Sequence, residues 1–234
     1  MHVPDGFLDA PTSVATGVVA VAGVGLALRK AREELDDRTA PMAGLVATFV
    51  FAAQMVNFPV GLGTSGHLLG GALAAILVGP WTGVLAVSVV LLVQALLLAD
   101  GGITAIGTNI TLLALVGVVV GWLTFRGLQK LLPKRVGLVP ALAAVAALVS
   151  VPAAALVFVG LYALGGTAPV PLDRLTTAML GWHTLIGIGE AVITGLVVAS
   201  VVAVRPDLVY GARPALKRRE LEIRHAGEVA GVSR

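Results

Sequence analysis

The 234-residue sequence contains no cysteine, which removes disulfides, thiolate metal ligands, iron–sulfur clusters and cysteine nucleophiles together. Charge is almost as scarce. Asp, Glu, Lys and Arg make up 12% of the residues, about half the share of roughly 25% found in soluble domains. With 57% hydrophobic residues and a mean hydropathy of +0.97, too little polar surface remains to cover a soluble core. The chain reads as a polytopic membrane protein. Its formal net charge is only +3, so the basic residues orient a chain in a bilayer rather than mark a nucleic-acid binder. No P-loop, dinucleotide fingerprint or calcium loop is present, and no internal repeat, so the chain carries no nucleotide engine of its own. A lone signal peptide is excluded as well, because Met1, His2 and Asp5 do not form a basic n-region and the apolar segments continue to about residue 203.

Seven apolar segments can be marked, at about 12–28, 41–59, 66–79, 81–98, 107–125, 137–163 and 181–203. The expected fold is an all-α membrane domain over 1–203, with a charged tail at 204–234. Segment 66–79 (GHLLGGALAAILVG) is short against the roughly 20 residues of a spanning helix and is expected to cross where protein surrounds it. Its Gly70 and Gly71 suit close helix contact. Segment 137–163 holds Pro140 and Pro152, which predict a kink or tilt. Lys and Arg gather on the cytoplasmic side of short loops. If the chain starts outside and crosses seven times, fifteen of the sixteen basic residues fall inside, leaving only Arg174 outside. The N-terminus is therefore expected outside and the C-terminus in the cytoplasm, with a merger of the third and fourth segments as the main alternative. The inner connection 29–40 (RKAREELDDRTA) is charged, whereas the outer VGLGTSG at 60–66 and DGG at 100–102 are rich in glycine. Such loops turn tightly and can line a site with backbone atoms.

Few strongly polar side chains fall in or near these segments: Gln54, Asn57, His67, Gln94, Asn109, His183 and Glu190. In hydrocarbon such groups face protein or a cavity. Gln54 and Gln94 read as hydrogen-bonding residues between helices. His183 follows Trp182 at an interface position where amphipathic side chains are common. Glu190 lies two turns deeper on roughly the same face, too far for direct contact, and a proton-carrying pair is one reading of the two. His67 taken alone is a helix-start histidine donating one hydrogen bond to a neighbouring carbonyl. His2 shifts this balance, although by itself an N-terminal Met-His pair carries little weight. A free Met1 amine, a deprotonated His2 amide and the His2 Nδ1 close two adjoining chelate rings. They offer three nitrogens in nearly one plane, and one more completes a square. That set suits Ni(II), Co(II) or Cu(II) and disfavours Mg(II) and Ca(II). It requires a Met1 that is neither formylated nor extended.

The stretches MHVPDGFLD, FAAQMVNFPVGLGTSGHLLGG at 51–71, LVGPW after it, LLLADGGITAIGTNI at 96–110 and the late GWHTLIGIGEAVITG closely resemble the CbiM/NikM substrate-binding membrane components of cobalt and nickel energy-coupling-factor (ECF) transporters. The resemblance covers nearly all of 1–203. One departure is visible, because TNITLLALVG lacks the Asn-Met pair that follows this asparagine in many relatives. In that family the N-terminus folds into the membrane domain from outside and binds the ion, which implies Met1, His2 and His67 as ligands here. An oriented imidazole and a folded-in terminus both need polar partners. Asn57, Ser65, Asp100, Asn109, His183 and Glu190 are the residues expected to orient the ligands or order the loops. The resemblance also implies a transported Co2+ or Ni2+ with no resident cofactor and no catalytic residue, and a location in the cell membrane. Its partners would be a coupling subunit of the CbiQ/NikQ type, two ABC ATPases of the CbiO/NikO type and a small membrane companion of the CbiN/NikN type. A proton-coupled secondary metal transporter built on His183 and Glu190 is the alternative.

Overall fold

The computed structural model describes residues 1–35, 39–61 and 64–221. Arg38, Arg224 and Arg234 of the basic tally, and the tail beyond 221, lie outside the described residues. Among the described residues the seven apolar segments appear as seven main helices: α1 (Ala10–Lys30), α2 (Ala40–Gln54), α3 (Gly71–Val78), α4 (Pro80–Leu97), α5 (Ile106–Leu131), α6 (Val139–Gly165) and α7 (Leu172–Val204). With short terminal turns included, α1, α4, α5, α6 and α7 are each long and apolar enough to cross a bilayer.

Local chemistry sets the helix ends. Asp9 caps α1 by accepting from the Thr12 amide at 2.9 Å, with Pro11 in the first turn. The start of α4 is capped from elsewhere in the chain: the Glu34 carboxylate accepts from Trp81 and Thr82 amides at 3.1 and 2.7 Å. Pro152 lies inside α6, which continues through it. The middle of α5, Ile110–Val116, is π-helical, a form that concentrates at functional sites.

The all-α membrane fold stands, and the segment bounds need one correction. Between α2 and α3 lies an antiparallel hairpin, β1 (Phe58–Gly61) with β2 (Thr64–Gly66), pairing Phe58 with Gly66 and Pro59 with Ser65. Pro59 drives residue 58 into extended backbone and removes a helical donor, so the segment expected as helix to 59 ends at Gln54. The helix expected from 66 starts only at Gly71. At eight residues α3 is roughly 12 Å long, and every residue in it is buried against α2, α4, α5 and α6. A helix apolar on all sides belongs at the centre of a bundle. Helix α7 begins nine residues earlier than expected, after Pro171, and α5 extends six residues further, where Gln129 Nε2 donates to the Gly211 carbonyl at 2.8 Å.

The connections gather at two ends. At one, the first nine residues are stitched to the α4–α5 and α6–α7 connections: Gly102 N donates to Val3 O at 2.9 Å, Asp9 N to Gly165 O at 2.7 Å and Thr167 N to Phe7 O at 3.1 Å. At the other, Glu34 meets the start of α4, and Arg213 reaches the Glu34 carbonyl at 3.4 Å.

Candidate metal centre

The N-terminus enters the bundle rather than trailing in solvent, since Met1 and Val3 are each 1% exposed. Asn109, the last residue before the π-helical stretch of α5, grips both edges of Val3. Its Oδ1 accepts from Val3 N at 2.7 Å and its Nδ2 donates to Val3 O at 3.1 Å. Further out, Asp5 Oδ1 accepts from the Thr104 amide at 2.8 Å and hydroxyl at 2.5 Å.

These clamps carry the Met1 amine to within hydrogen-bonding distance of His67 Nε2. The His2 and His67 rings stack with centroids 4.3 Å apart and planes at 30°. His67 Nδ1 lies 2.8 Å from the Leu68 carbonyl, an acceptor only, so Nδ1 carries the proton and the Nε2 lone pair faces the amine. The bland expectation for His67, a hydrogen bond to a neighbouring carbonyl, is therefore met by one nitrogen while the other faces the terminus. Among the described residues no group of three His, Cys, Asp or Glu side chains is arranged to hold a metal.

His2 departs from the expected chelate in one respect. Its Nδ1, the atom the chelate uses, lies 2.9 Å from Asp100 Oδ1, and its buried Nε2 has no hydrogen-bond partner among the described residues. The carboxylate competes for the nitrogen. Asp100 follows Ala99, a non-glycine residue held at φ 53°, and also faces Asn57 Nδ2 at 3.5 Å. Burial lowers the Met1 amine well below its ordinary pKa, against the opposing charges of Asp100 and Glu190. Burial lowers His2 as well, against its bond to Asp100. That bond in turn holds the Asp100 carboxyl below its usual range. Asp100, Asn57, Ser65 and His2 line an open vestibule of about 610 Å³.

The hydrogen bonds of the remaining expected residues run to main-chain groups rather than to the four nitrogens. His183 Nδ1 donates to Met179 O of its own helix at 2.8 Å. Glu190 accepts from the Leu69 and Gly70 amides at 2.6 and 3.0 Å, in the turn that follows His67. Among the described residues no hydrogen bond joins His183 to Glu190, and the buried His183 Nε2 has no partner. Sequence reading missed the Asp5–Thr104 clamp, 99 residues apart in the chain, and the target of Gln54, whose Nε2 donates to Leu69 O at 2.7 Å. A short polar residue inside each of two glycine-bearing loops was the one available signal.

Comparison with known proteins sharpens the reading. The family model described as CbiM, cobalt uptake substrate-specific transmembrane region, matches residues 2–208. The chain belongs to the CbiM family. A provisionally named metal transport protein of Haloquadratum walsbyi is 40% identical over 210 residues, covering 90% of this chain and 94% of that one. The fused nickel transport protein NikMN of Rhodobacter capsulatus is 35% identical over 237 residues, covering 95% of this chain and 68% of that one. The crystal structure of a truncated transition metal transporter superposes with a TM-score of 0.80 at 32% identity, covering 87% of this chain and 99% of that one. As a CbiM/NikM protein the chain is a multi-pass, non-catalytic component, the metal-specific (Co2+/Ni2+) membrane part of an ECF-type ABC transporter.

Proposed function

We propose that this CbiM-family chain captures Co2+ or Ni2+ from outside the cell with four nitrogens: the Met1 amine, the deprotonated His2 amide, His2 Nδ1 and His67 Nε2. The observation that carries the reading is the buried Met1 amine facing the His67 Nε2 lone pair, with the His2 ring stacked beside that imidazole. Chelation exchanges the His2 Nδ1–Asp100 bond for one to the ion, moves the ring proton to Nε2 and frees the Asp100 carboxylate toward the vestibule. Asn57 and Ser65 order that vestibule, and Asn109 fixes Val3, the next residue after the chelate. His183 supports the packing of α7. A nitrogen-rich planar set favours late first-row ions over oxygen-seeking Mg2+ and Ca2+.

The proposed topology is seven crossings with the metal centre outside and the tail in the cytoplasm, α3 completing its crossing through the irregular residues before it. The proposed partners are a CbiQ/NikQ-type coupling subunit, two CbiO/NikO-type ATPases and a CbiN/NikN-type companion. The fused NikMN relative, of which this chain covers 68%, supports the last of these. One extra Ala before Met1 tests the ligand set, because it turns the amine into a peptide nitrogen while keeping every side chain. Calorimetry and metal analysis of the native terminus, the Ala-extended protein and His2→Ala are expected to show high-affinity, one-to-one binding in the first alone. Equal occupancy and affinity in the native and extended proteins would refute terminal chelation.

A further inference from the structure

Residues 67–70 run between β2 and α3 without regular structure, inside the protein. Non-helical backbone at membrane depth persists only where its polar groups find partners in protein, and here the partners come from two separate helices. Glu190 of α7 accepts from Leu69 N and Gly70 N, and Gln54 of α2 donates to Leu69 O. Leu69, two residues beyond His67, is thus gripped by both its N–H and its C=O. Gly70 adopts φ +76°, and a Cβ there would lie 2.8 Å from the Val50 methyls of α2, so the turn is shaped against α2 as well. Beside it, an apolar cleft of about 480 Å³ is walled by Phe49, Ala53 and Val56 of α2 and by Trp182 and Leu185 of α7, and His67 also lines it.

The other candidate nitrogens rest on different supports. Met1 and His2 are held through Val3 by Asn109 of α5 and Gly102, and through Asp100. Three nitrogens therefore belong to the α4–α5 side and the fourth to a turn slung between α2 and α7.

We propose that Gln54 and Glu190 are positioning residues for His67, acting through Leu69, so that parting of α2 from α7 removes the fourth nitrogen first and releases the ion. The proposal rests on His67 being a ligand. Glu190 and Gln54 touch no ion. They fix where His67 Nε2 stands relative to the terminus. Losing either grip leaves the turn free to move, so the two substitutions are not additive.

The test uses the full chain with its native terminus, loaded with Cu(II) as the probe. Electron paramagnetic resonance reads the number of nitrogen ligands, and chelator competition reads the dissociation rate. The variants are Glu190→Gln, which retains one acceptor, Gln54→Met, which removes one donor from the other helix, and Ser200→Ala, an exposed position further along α7 whose hydroxyl donates to Leu196 O of its own helix. The expected result is a four-nitrogen signal for the native protein and Ser200→Ala, and a three-nitrogen signal with release faster by about 10- to 100-fold in the first two variants, the range seen when supporting partners are lost. Their double variant is expected to release no more than a few-fold faster than the worse single. His67→Ala, measured alongside, separates the failures. A native four-nitrogen signal in His67→Ala removes the ligand assignment itself. Loss of one nitrogen there, with native signals and rates in both Glu190→Gln and Gln54→Met, overturns the positioning role alone.

Discussion

An amine or imidazole that loses its hydration becomes a weaker base, because burial penalises the cation more than the neutral form. Both the Met1 amine and His2 are lowered chiefly by this effect. The sign of the consequence follows by linkage. An undocked terminus takes up protons that the docked one refuses, so docking is full above the amine's ordinary value of 8.0. It is lost progressively as the pH falls, first below that value and then below the 6.5 of an ordinary histidine. Asp5, Asp9 and Asp100 are all lowered from 3.8 and stay ionised throughout this window, so they do not contribute to it. Hydrogen exchange at the Val3 and Gly102 amides, corrected for intrinsic rates, is expected to rise on going from pH 8 to 5 and to be suppressed by Ni2+. Protection independent of pH would show that the terminus stays docked with its protons on. At the same scale the two histidines divide. His67→Ala is expected to lose stoichiometric Ni2+, while His183→Ala, whose Nδ1 bonds only within its own helix, keeps affinity within a few-fold. The reverse pattern in equilibrium binding would exchange their roles.

Between elements, one close backbone approach behind the site is α1 against α5. A Cβ on Gly107 would lie 2.4 Å from the Gly17 Cα, a backbone atom that no side-chain rotation can move, whereas a Cβ on Gly17 meets nothing within 4 Å. Gly107→Ala is therefore expected to push the helices apart at a cost of about 1–3 kcal/mol, and to weaken metal binding because α5 carries Asn109. Gly17→Ala is expected to leave both unchanged. Thermal unfolding in detergent with metal titration checks the pair, and equal effects of the two would remove the close-contact argument. Elements of this kind were legible in the sequence as far as hydropathy reaches. All seven segments became helices because any run of apolar residues in lipid must bond its own backbone. The hairpin at 58–66 and the irregular 67–70 were not legible, since their residues continue the apolar and glycine-rich character of the runs on either side. His2 and His67 could be paired from chelate chemistry and family motifs. The partners of Glu190 could not, because a carboxylate at 190 and two amide groups at 69 and 70 carry no shared pattern in the chain. Asp100 was expected beside the site, but its grip on the very nitrogen the chelate needs is a matter of ring orientation, which spacing does not encode.

Across the whole molecule, charge is sorted by end. Arg29 and Lys30 close α1, Lys130 lies in the last turn of α5, and Arg213 sits against Glu34 at that same end. Arg174 stands alone in the first turns of α7, beside the connection that holds Phe7 and Thr167. Lys and Arg in short loops resist translocation, so the end carrying most of them should stay in the cytoplasm and the end carrying Met1, His2 and Asp100 should face outward. This sorting uses the same basic residues as the sequence count and agrees with the proposed seven-crossing order, which needs α3, at only eight residues, to carry the chain from one end to the other. Were α3 a re-entrant segment that returned to its starting side, Glu34 could not accept from the amides of Trp81 and Thr82, which lie just beyond it. A reporter fused after residue 234 is expected to be active in the cytoplasm, and one inserted near residue 170 to be active outside. The opposite pattern would turn the vestibule toward the cytoplasm, where the chain would meet metal already imported, and capture from outside could no longer be its task. Reporters active on the same side would instead mean that α7, which lies between the two points, does not carry the chain across.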